Sequence, residues 1–262
     1  MMHNLRSILF AGLTMFAVFT TGAYAAENNS PEKDKNWKFT IGGGAMYGAA
    51  YEGSDKYVVK AIPDVSAEYK EGMFFAGIFD GIGGYPVLTE NYKLGAAIGF
   101  DFGRSEDDDK SNLRWMGDID MSATLSLMGE YSFGPLQVSG KITKGTEDYG
   151  TTATMELGTM FPLGDKLMIM ASVGSTWADS DHMSSFFSVS PKQASHSAYS
   201  RYDAEAGLKS VGFALGAFYN ITESWEVKLM ISGDQLLGGA ADSPLTKDDF
   251  NPSVFFTAGY SF

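Results

Sequence analysis

The chain ends with Pro252-Ser253-Val254-Phe255-Phe256-Thr257-Ala258-Gly259-Tyr260-Ser261-Phe262, and this stretch decides the fold class. Successive side chains of an extended strand point to opposite faces. One face therefore carries the apolar set Val254, Phe256, Ala258, Tyr260 and Phe262. The other face carries the small residues Thr257, Gly259 and Ser261. A strand with such faces that stops on an aromatic residue is expected to lie against lipid or against a partner edge.

The same stretch resembles the closing strand of a bacterial outer-membrane β-barrel. The resemblance implies that Tyr260 and Phe262 form the signal that the barrel assembly machinery recognises. An ordinary strand of a soluble sandwich has the same alternation, so these residues alone leave both architectures open.

The first 25 residues are typical of a secretory signal peptide. Arg6 supplies a positive charge, an apolar run extends from Ile8 to Phe19, and Ala23-Tyr24-Ala25 is a small-x-small cleavage site. The apolar run is shorter than the about 20 residues that a membrane-spanning helix needs. We therefore expect an exported protein. The expected organisation is a signal peptide at 1–25, a periplasmic lead at 26–36 and an outer-membrane barrel at 37–262.

The composition excludes several classes of function. The chain has no cysteine, so it has no disulfide, no thiolate metal site and no cysteine nucleophile. Its formal net charge of −13 argues against nucleic acid as a partner. The 31 glycines and the 14% of aromatic residues suit a barrel wall, in which half of each strand is apolar and half is small or polar.

A period of two dominates the chain from Trp37 onward. The clearest examples are Tyr92–Phe102 and Asp118–Tyr131, where a 3.6-residue period would mix apolar and charged side chains on one face. The predicted strands are 37–47, 62–70, 73–79, 81–88, 92–102, 118–131, 136–145, 149–161, 166–177, 200–221, 225–236 and 253–262. In the tenth strand the apolar phase changes at Lys209-Ser210, which predicts a bulge. We therefore predict an all-β, antiparallel, up-and-down transmembrane barrel of about twelve strands, with ten as the alternative.

The connections and the faces favour a membrane barrel over a soluble one. Short, turn-rich links alternate with longer ones along most of the chain, as periplasmic turns and outer loops do. The face opposite the bulky apolar residues carries small, polar and charged side chains, which cannot pack a dry core. Aromatic residues near the strand ends are typical of an interfacial girdle: Trp37, Tyr69, Tyr92, Tyr131, Phe161, Trp177, Trp225 and Tyr260.

Charged residues on the polar face are candidates for a network inside the barrel. They are Asp101, Asp118, Asp120, Glu130, Lys141, Glu156, Asp203, Glu205, Glu226, Lys228 and Asp234. Such a set lines either a selective pore or a barrel closed by paired charges, and the sequence leaves both interpretations open.

Several loop segments together resemble the MipA/OmpV family over essentially the whole mature chain. The segments are Tyr51-Glu52-Gly53-Ser54-Asp55 with Pro63 downstream, Phe100–Arg104, Phe187–Ser190 with Gln193-Ala194, Ala206–Lys209, and Leu237–Leu245 with Asp242, Ser243 and Pro244. The sequence departs from the family pattern at Ala50, near which Pro is common, and at Ser188, where Gly is typical.

The resemblance implies an outer-membrane barrel without known catalytic residues. We also expect no metal or other cofactor, and we expect the barrel to contact outer-membrane lipid and lipopolysaccharide. Some members of the family are described as scaffolds that join a lytic murein transglycosylase to a murein synthase, and others as adhesin-like or antigenic surface proteins. A scaffold or surface interaction protein is thus the expected function. A narrow channel for small solutes is the first alternative, and a loop-borne hydrolase of lipids or esters is the second.

Three loop or strand segments carry residues that could support other chemistry. Asp179–Ser185, with Ser195 and His196, contains the residue types of a nucleophilic triad or a metal site, although the spacing matches no closed zinc pattern. The acidic run Glu106–Asp109 could bind a divalent cation but lacks the Gly and spaced ligands of a calcium loop. Gly42-Gly43-Gly44 lacks the Lys of a phosphate-binding loop and is better explained as a strand closely approached by its neighbours.

Overall fold

The computed structural model describes residues 36–70, 72–146 and 149–262. They form one closed antiparallel barrel in which each strand pairs with the next, and β1 pairs with β12 to close the sheet. This confirms the predicted barrel of twelve strands. The strands are β1 Trp37–Ala49, β2 Tyr57–Tyr69, β3 Phe74–Gly77, β4 Gly81–Leu88, β5 Tyr92–Asp101, β6 Ser122–Phe133, β7 Leu136–Gly145, β8 Thr151–Leu163, β9 Leu167–Ala178, β10 Gly207–Asn220, β11 Trp225–Leu236 and β12 Phe250–Ser261.

The seam between β1 and β12 depends on glycine. Register pairs run from Thr40 with Ser261 to Tyr47 with Val254, and Phe39 and Phe262 exchange backbone hydrogen bonds of 3.2 and 3.0 Å at the end of the seam. A Cβ atom on Gly44 would overlap the carbonyl oxygen of Phe256. This confirms that neighbouring backbone closely approaches the triple-glycine segment.

The two faces of the wall have opposite chemistry. Outward positions carry large apolar side chains that remain exposed, such as Ile98, Leu125 and Leu127. Inward positions carry buried polar side chains such as Ser126 and Thr143, which hydrogen-bond to each other at 2.9 Å. An apolar exterior around a polar interior is the arrangement of a transmembrane barrel, so the chain forms a barrel of the outer-membrane type.

Short turns lie at one end of the barrel, and the longest connections, 102–121, 179–206 and 237–249, lie at the opposite end. We call the end with Trp37, Phe262 and the short turns the turn end, and the opposite end the loop end. Aromatic side chains pack against one another at the turn end, where the Trp37 ring lies tilted at 4.9 Å from that of Tyr69 and the Trp225 ring lies edge-on at 5.3 Å from that of Tyr260. At the loop end, Tyr47 and Tyr57 stack at 5.5 Å.

The strand predicted from residue 62 begins earlier, at Tyr57, and two predicted strands begin at least four residues later than the sequence pattern indicates. The strand predicted from residue 118 starts at Ser122, and the strand predicted from residue 200 starts at Gly207, because the polar residues before them fold into the loops. The bulge predicted at Lys209-Ser210 is confirmed by a shift of register between Leu208 and Ser210. The predicted signal peptide and almost all of the predicted lead lie outside the described residues.

The hairpin of β3 and β4 is much shorter than its neighbours. At its tip, residues 79–80 turn inward, and the centroid of the Phe79 ring lies 6.3 Å from that of the Phe255 ring. Asp80 also lies inside the barrel and interacts electrostatically with Lys141 and Lys228. The hairpin therefore ends partway up the wall.

Helices occur only as short pieces within the loops of the described chain: α1 Ser180–Phe187, α2 Pro191–His196 and α3 Gly238–Ala241. None of the described helices is long and apolar enough to cross a membrane.

Candidate functional site

The long loops fold together over the loop end of the barrel. We call the described parts of five loops the cap, namely 50–56, 102–121, 146–150, 179–206 and 237–249. Three small apolar clusters hold it, and each joins residues distant in sequence. One contains Tyr51 with Leu113, a second Met183 with Ala240, and a third Val189 with Leu245. The cap is therefore packed like a protein interior.

Polar contacts in the cap join the segments that carry the family resemblance. The Tyr51 hydroxyl donates to the Leu245 carbonyl at 2.8 Å, and the Ser243 hydroxyl donates to the Phe187 carbonyl at 2.6 Å. Gly53, at a positive φ of 92°, donates its N–H to Asn251 Oδ1 at 2.9 Å. The motifs recognised separately in the sequence thus contact one another here.

The remaining motif residues complete the same contacts. Ser54 is buried and accepts from the Lys56 N–H at 3.1 Å, while Asp55 accepts from the Asn112 amide at 3.4 Å. Asp242 ends α3, and the carbonyl of Pro244 accepts from Lys247 Nζ at 2.6 Å.

A buried ion pair connects the barrel wall to the first loop. Lys209 Nζ lies 2.7 and 2.9 Å from the two carboxylate oxygens of Glu52, and the Lys209 side chain is 0% exposed. The bulge before Ser210 directs Lys209 inward, out of the alternation of the strand.

Burial also shifts the ionisation of cap residues. Burial lowers the pKa of Arg104 to about 10, and its Nη1 donates to the Phe186 carbonyl at 2.6 Å. The pKa of Asp109 is lowered to about 2: although burial opposes it, hydrogen bonds from Lys56, Ser111 and Asn112 stabilise the carboxylate. Through the bond from Lys56, Asp109 connects the loop at 102–121 to the loop at 50–56.

The residues that suggested a nucleophilic triad are separated in the cap. His182 is buried, its Nδ1 lies 2.9 Å from the Tyr149 carbonyl, and its ring stacks on Phe186 at 4.5 Å. Asp179 instead caps α1 by accepting from the His182 backbone N–H. Ser195 Oγ lies 3.0 Å from His196 Nδ1, but both are exposed at the end of α2. In the described chain, no group of acidic, cysteine and histidine side chains is suited to hold a metal ion.

The charged residues predicted for the interior divide into two groups. Seven occupy inward strand positions: Asp101, Glu130, Lys141, Glu156, Glu226, Lys228 and Asp234. Four lie in the exposed part of the cap: Asp118, Asp120, Asp203 and Glu205. Asp118 accepts hydrogen bonds from the Ser105 hydroxyl and the Glu106 N–H, and Asp203 pairs with Arg201 at 2.8 Å. The later starts of β6 and β10 explain their position.

Inside the wall, the charges form networks that also include residues missing from the prediction. Glu130 accepts from the Tyr85 hydroxyl at 2.8 Å and the Gln137 amide at 2.7 Å, with Lys93 Nζ at 3.5 Å. Lys228 Nζ donates to Asp64 at 3.1 Å, and the Thr257 hydroxyl shares the same oxygen.

The alternation of β2 contains a signal that could have identified some of the missing residues. Lys60, Asp64 and Glu68 are spaced by four residues and therefore share the inward face of one strand. Asp80 carries no such signal, because it belongs to a turn whose direction depends on long-range packing.

One side of the interior is apolar. Met170, Ala214 and Met230 form a buried cluster on three adjacent strands, and Phe255 packs against it. Phe79 extends this set from the hairpin tip. We call these five residues the interior apolar patch.

The site as a whole is a polar and charged lumen with one apolar side, covered at the loop end by a packed cap. The buried groups are held by hydrogen bonds and ion pairs, and the titratable groups discussed above are not assembled around a shared reacting position.

Solved structures that are similar to this chain include two porins and a FadL homologue. The NanC porin is 9% identical, with 85% of this chain and 98% of that chain covered and a TM-score of 0.44. An anion-selective porin from Comamonas acidovorans is also 9% identical, with coverages of 86% and 98% and a TM-score of 0.39. A Pseudomonas aeruginosa FadL homologue is 11% identical, with coverages of 86% and 88% and a TM-score of 0.37.

Among proteins with curated descriptions, none matches this sequence significantly. A family model does match: residues 41–262 fit the model described as MltA-interacting protein MipA. The match begins at Ile41 in β1 and extends beyond the end of β12 to Phe262. It includes every segment of the cap. The chain therefore belongs to the MipA family.

Proposed function

We propose that the chain is a non-conducting, non-enzymatic outer-membrane barrel that supports peptidoglycan-remodelling enzymes at its turn end. The observation that carries this proposal is the packed cap, which covers the loop end with buried residues such as Tyr51, Leu113 and Leu245. A barrel that is closed by its own loops is better suited to anchor other proteins than to pass solutes.

The family name supports the choice of partner. It describes a protein that interacts with MltA, and the sequence resemblance adds a lytic murein transglycosylase and a murein synthase as expected partners. The short turns are expected to face the periplasm, where murein enzymes work, and the cap the outside. The apolar belt then contacts outer-membrane lipid, and the cap lies at the level of lipopolysaccharide.

The turn end offers little area to any single partner. Its connections, such as Thr89–Asn91 and Gly134-Pro135, contain only a few residues each. A stable complex usually buries about 1,200 Å² or more in total. We therefore expect weak binding that engages several turns at once, together with the exposed aromatic rim.

Site-specific photocross-linking in growing cells tests the proposal. A photoreactive residue is placed at Glu90, Asp165 or Glu223, all exposed at the turn end, and at Asp107 or Asp181 in the cap as matched controls. The proposal predicts adducts with a transglycosylase or a murein synthase from the turn-end positions only. Such adducts from the cap positions alone, or from neither set, would contradict it.

A narrow channel is the second candidate, and it is favoured by a different observation. Inward hydroxyl groups line much of the wall, including the pairs Ser126 with Thr143, Thr154 with Thr176 and Ser232 with Ser253. A polar lining of this kind also occurs in pores. Conductance through the reconstituted barrel distinguishes the two functions.

A further inference from the structure

The barrel wall is incomplete on one side of its loop half. β2 runs from Tyr57 to Tyr69, but β3 pairs with it only from Ser66 to Tyr69. On the other side of the hairpin, β4 pairs with β5 no further than Ile98. The backbone edges at 57–65 of β2 and at 100–101 of β5 therefore have no described strand between them. We call this opening the wall slot.

The sequence of β2 is adapted to an open edge. Pro63 lies in the part of β2 that pairs with β1 but not with β3, and its partner on β1 is Gly43. Proline has no N–H to donate to a neighbouring strand, and in sheets it is confined to edges and bulges. Pro63 thus lies where β2 has a neighbouring strand on one side only, which is where proline is accepted in a sheet.

The slot opens within the lipid-facing belt. Around it, Val59, Ile82, Ile98 and Phe100 are all highly exposed on the outer face. Below it, an apolar groove of about 370 Å³ runs along the outside of β1 to β4, lined by residues that include Ile41, Val65 and Ile78. An open edge at this depth exposes backbone groups to hydrocarbon, which is costly unless another group covers them.

The hairpin tip connects this groove to the interior. Ile78 lies on the outer face and lines the groove, while the next residue, Phe79, lies inside against Phe255. Phe255 in turn packs on Met230 and Met170 of the interior apolar patch. Apolar surface is therefore continuous from the lipid belt, over the hairpin tip, to the inside of the barrel.

The ammonium group of Lys60 lies beside the slot and has no hydrogen-bond acceptor among the described residues. Lys60 points inward from the unpaired part of β2 and is 8% exposed. Its Nζ has no hydrogen-bond partner, since the nearest carboxylate, Asp108, is 4.0 Å away and beyond hydrogen-bond reach. Along β2, Lys60 is nearer the loop end than Ser66, which pairs with Gly77 just before the hairpin tip. The charge thus lies toward the membrane surface and the apolar patch lies deeper.

We propose that the wall slot admits a single-chain anionic lipid from the surrounding leaflet, with its head group on Lys60 and its acyl chain against Phe79 and the interior apolar patch. This orientation matches that of lipids in the outer leaflet, whose head groups face the loop end. The order of charge and apolar surface also excludes a neutral or cationic amphiphile as the preferred ligand. The slot and this ligand are independent of the partners at the turn end.

Photolabelling of the full chain in nanodiscs of zwitterionic phospholipid tests the proposal. The probes are oleate carrying a diazirine near the chain end, a lysophosphatidylglycerol with the same chain, and the methyl ester of the oleate probe. Labelled residues are identified by mass spectrometry of peptides. We expect adducts on Phe79, Phe255 or Met230 from the two anionic probes. The stronger of the two identifies the head group as a carboxylate or a phosphate.

Two controls separate entry from ordinary lipid contact. Adducts only on outward residues such as Ile41, Val65 and Ile82 would show a lipid annulus and overturn the proposal. Lys60→Met should raise the probe concentration that half-saturates interior labelling by about tenfold, as expected for a lost charge-assisted hydrogen bond. Lys144→Met, which alters an exposed lysine on β7, should leave it unchanged. The same half-saturating concentration for Lys60→Met and Lys144→Met would overturn the role of Lys60. Interior labelling by the methyl ester as strong as that by the anionic probes would overturn it as well.

Discussion

Lys209 carries its charge inside the protein, and Glu52 on the first loop of the cap is the group that offsets it. Removing one member of a buried ion pair leaves the other charge unpaired in a low-dielectric site. Lys209→Met should therefore lower the free energy of unfolding by about 3 kcal/mol.

Urea titration of the folded barrel in lipid vesicles measures this loss. The control is Arg201→Met, which removes an exposed pair with Asp203 and should cost less than ~1 kcal/mol. Similar losses in the two variants would mean that the Lys209–Glu52 pair does not hold the cap to the wall.

His182 provides a second prediction at the scale of a residue. Burial, together with repulsion from Lys209, lowers its pKa to about 4, although Glu52, the Tyr149 carbonyl and Asp179 act in the opposite direction. In the unfolded chain the ring takes up its proton near pH 6.5. The unfolded state thus binds more protons between the two pKa values, so the cap loses stability as the pH falls from about 6.5 to about 4, by about 3 kcal/mol in total.

Protease cleavage within 179–206 as a function of pH reports this opening of the cap. His182→Phe keeps an aromatic ring in the stack and should remove the dependence in that window. His196→Gln, which changes an exposed residue, should retain it. Asp109, whose pKa is lowered to about 2, stabilises the folded state above about pH 4 and loses that effect only below this window.

At the scale of the element, two adjacent glycines of β1 differ in the space available for a side chain at the seam. A Cβ on Gly44 would overlap the Phe256 carbonyl, whereas the nearest atom to a Cβ on the adjacent Gly43 is the Ile62 carbonyl oxygen at 3.3 Å. Gly44→Ala should therefore reduce the yield of folded barrel far more than Gly43→Ala. Heat-modifiable gel migration after refolding gives the yield, and equal yields would contradict the seam as described.

The position of a strand residue along the membrane normal sets the cost of a charge. Leu127 lies in the middle of β6 on the outer face, opposite Ile142 of β7, and Leu163 ends β8 beside a turn. Leu127→Arg should cost about 2–4 kcal/mol and Leu163→Arg no more than about 1 kcal/mol, as expected for the midplane and the interface of a bilayer. Equal costs in urea titrations would show that the belt is misplaced.

Strands with regular alternation could be predicted from the sequence because each face has a uniform environment. The alternation within 92–102 and 118–131 puts Ile98 and Leu125 on the apolar face, and both are exposed. The alternation could not place Phe79 and Asp80, because a turn has no period and its direction depends on packing against Phe255. The alternation also predicts a strand from Asp118, but β6 begins at Ser122 and Asp118 belongs to the cap.

At the scale of the whole molecule, the cap is the feature that local sequence reasoning could not assemble. Tyr51, Phe187 and Leu245 each lie in a polar, loop-like segment, and their burial results from contacts between segments far apart in the chain. The family resemblance identified these segments, but only the fold explains why they occur together. They build one packed surface at the loop end of the barrel.

Closure of the lumen by the cap is the central claim, and single-channel recording in planar bilayers tests it most directly. The full barrel, reconstituted with its cap intact, should insert without producing stable conductance steps. A variant in which 180–204 is replaced by a short Gly/Ser linker should conduct, since that segment contributes Phe187 and Met183 to the cap core. Stable open-channel conductance of the unaltered protein at neutral pH would contradict the account and establish the channel instead.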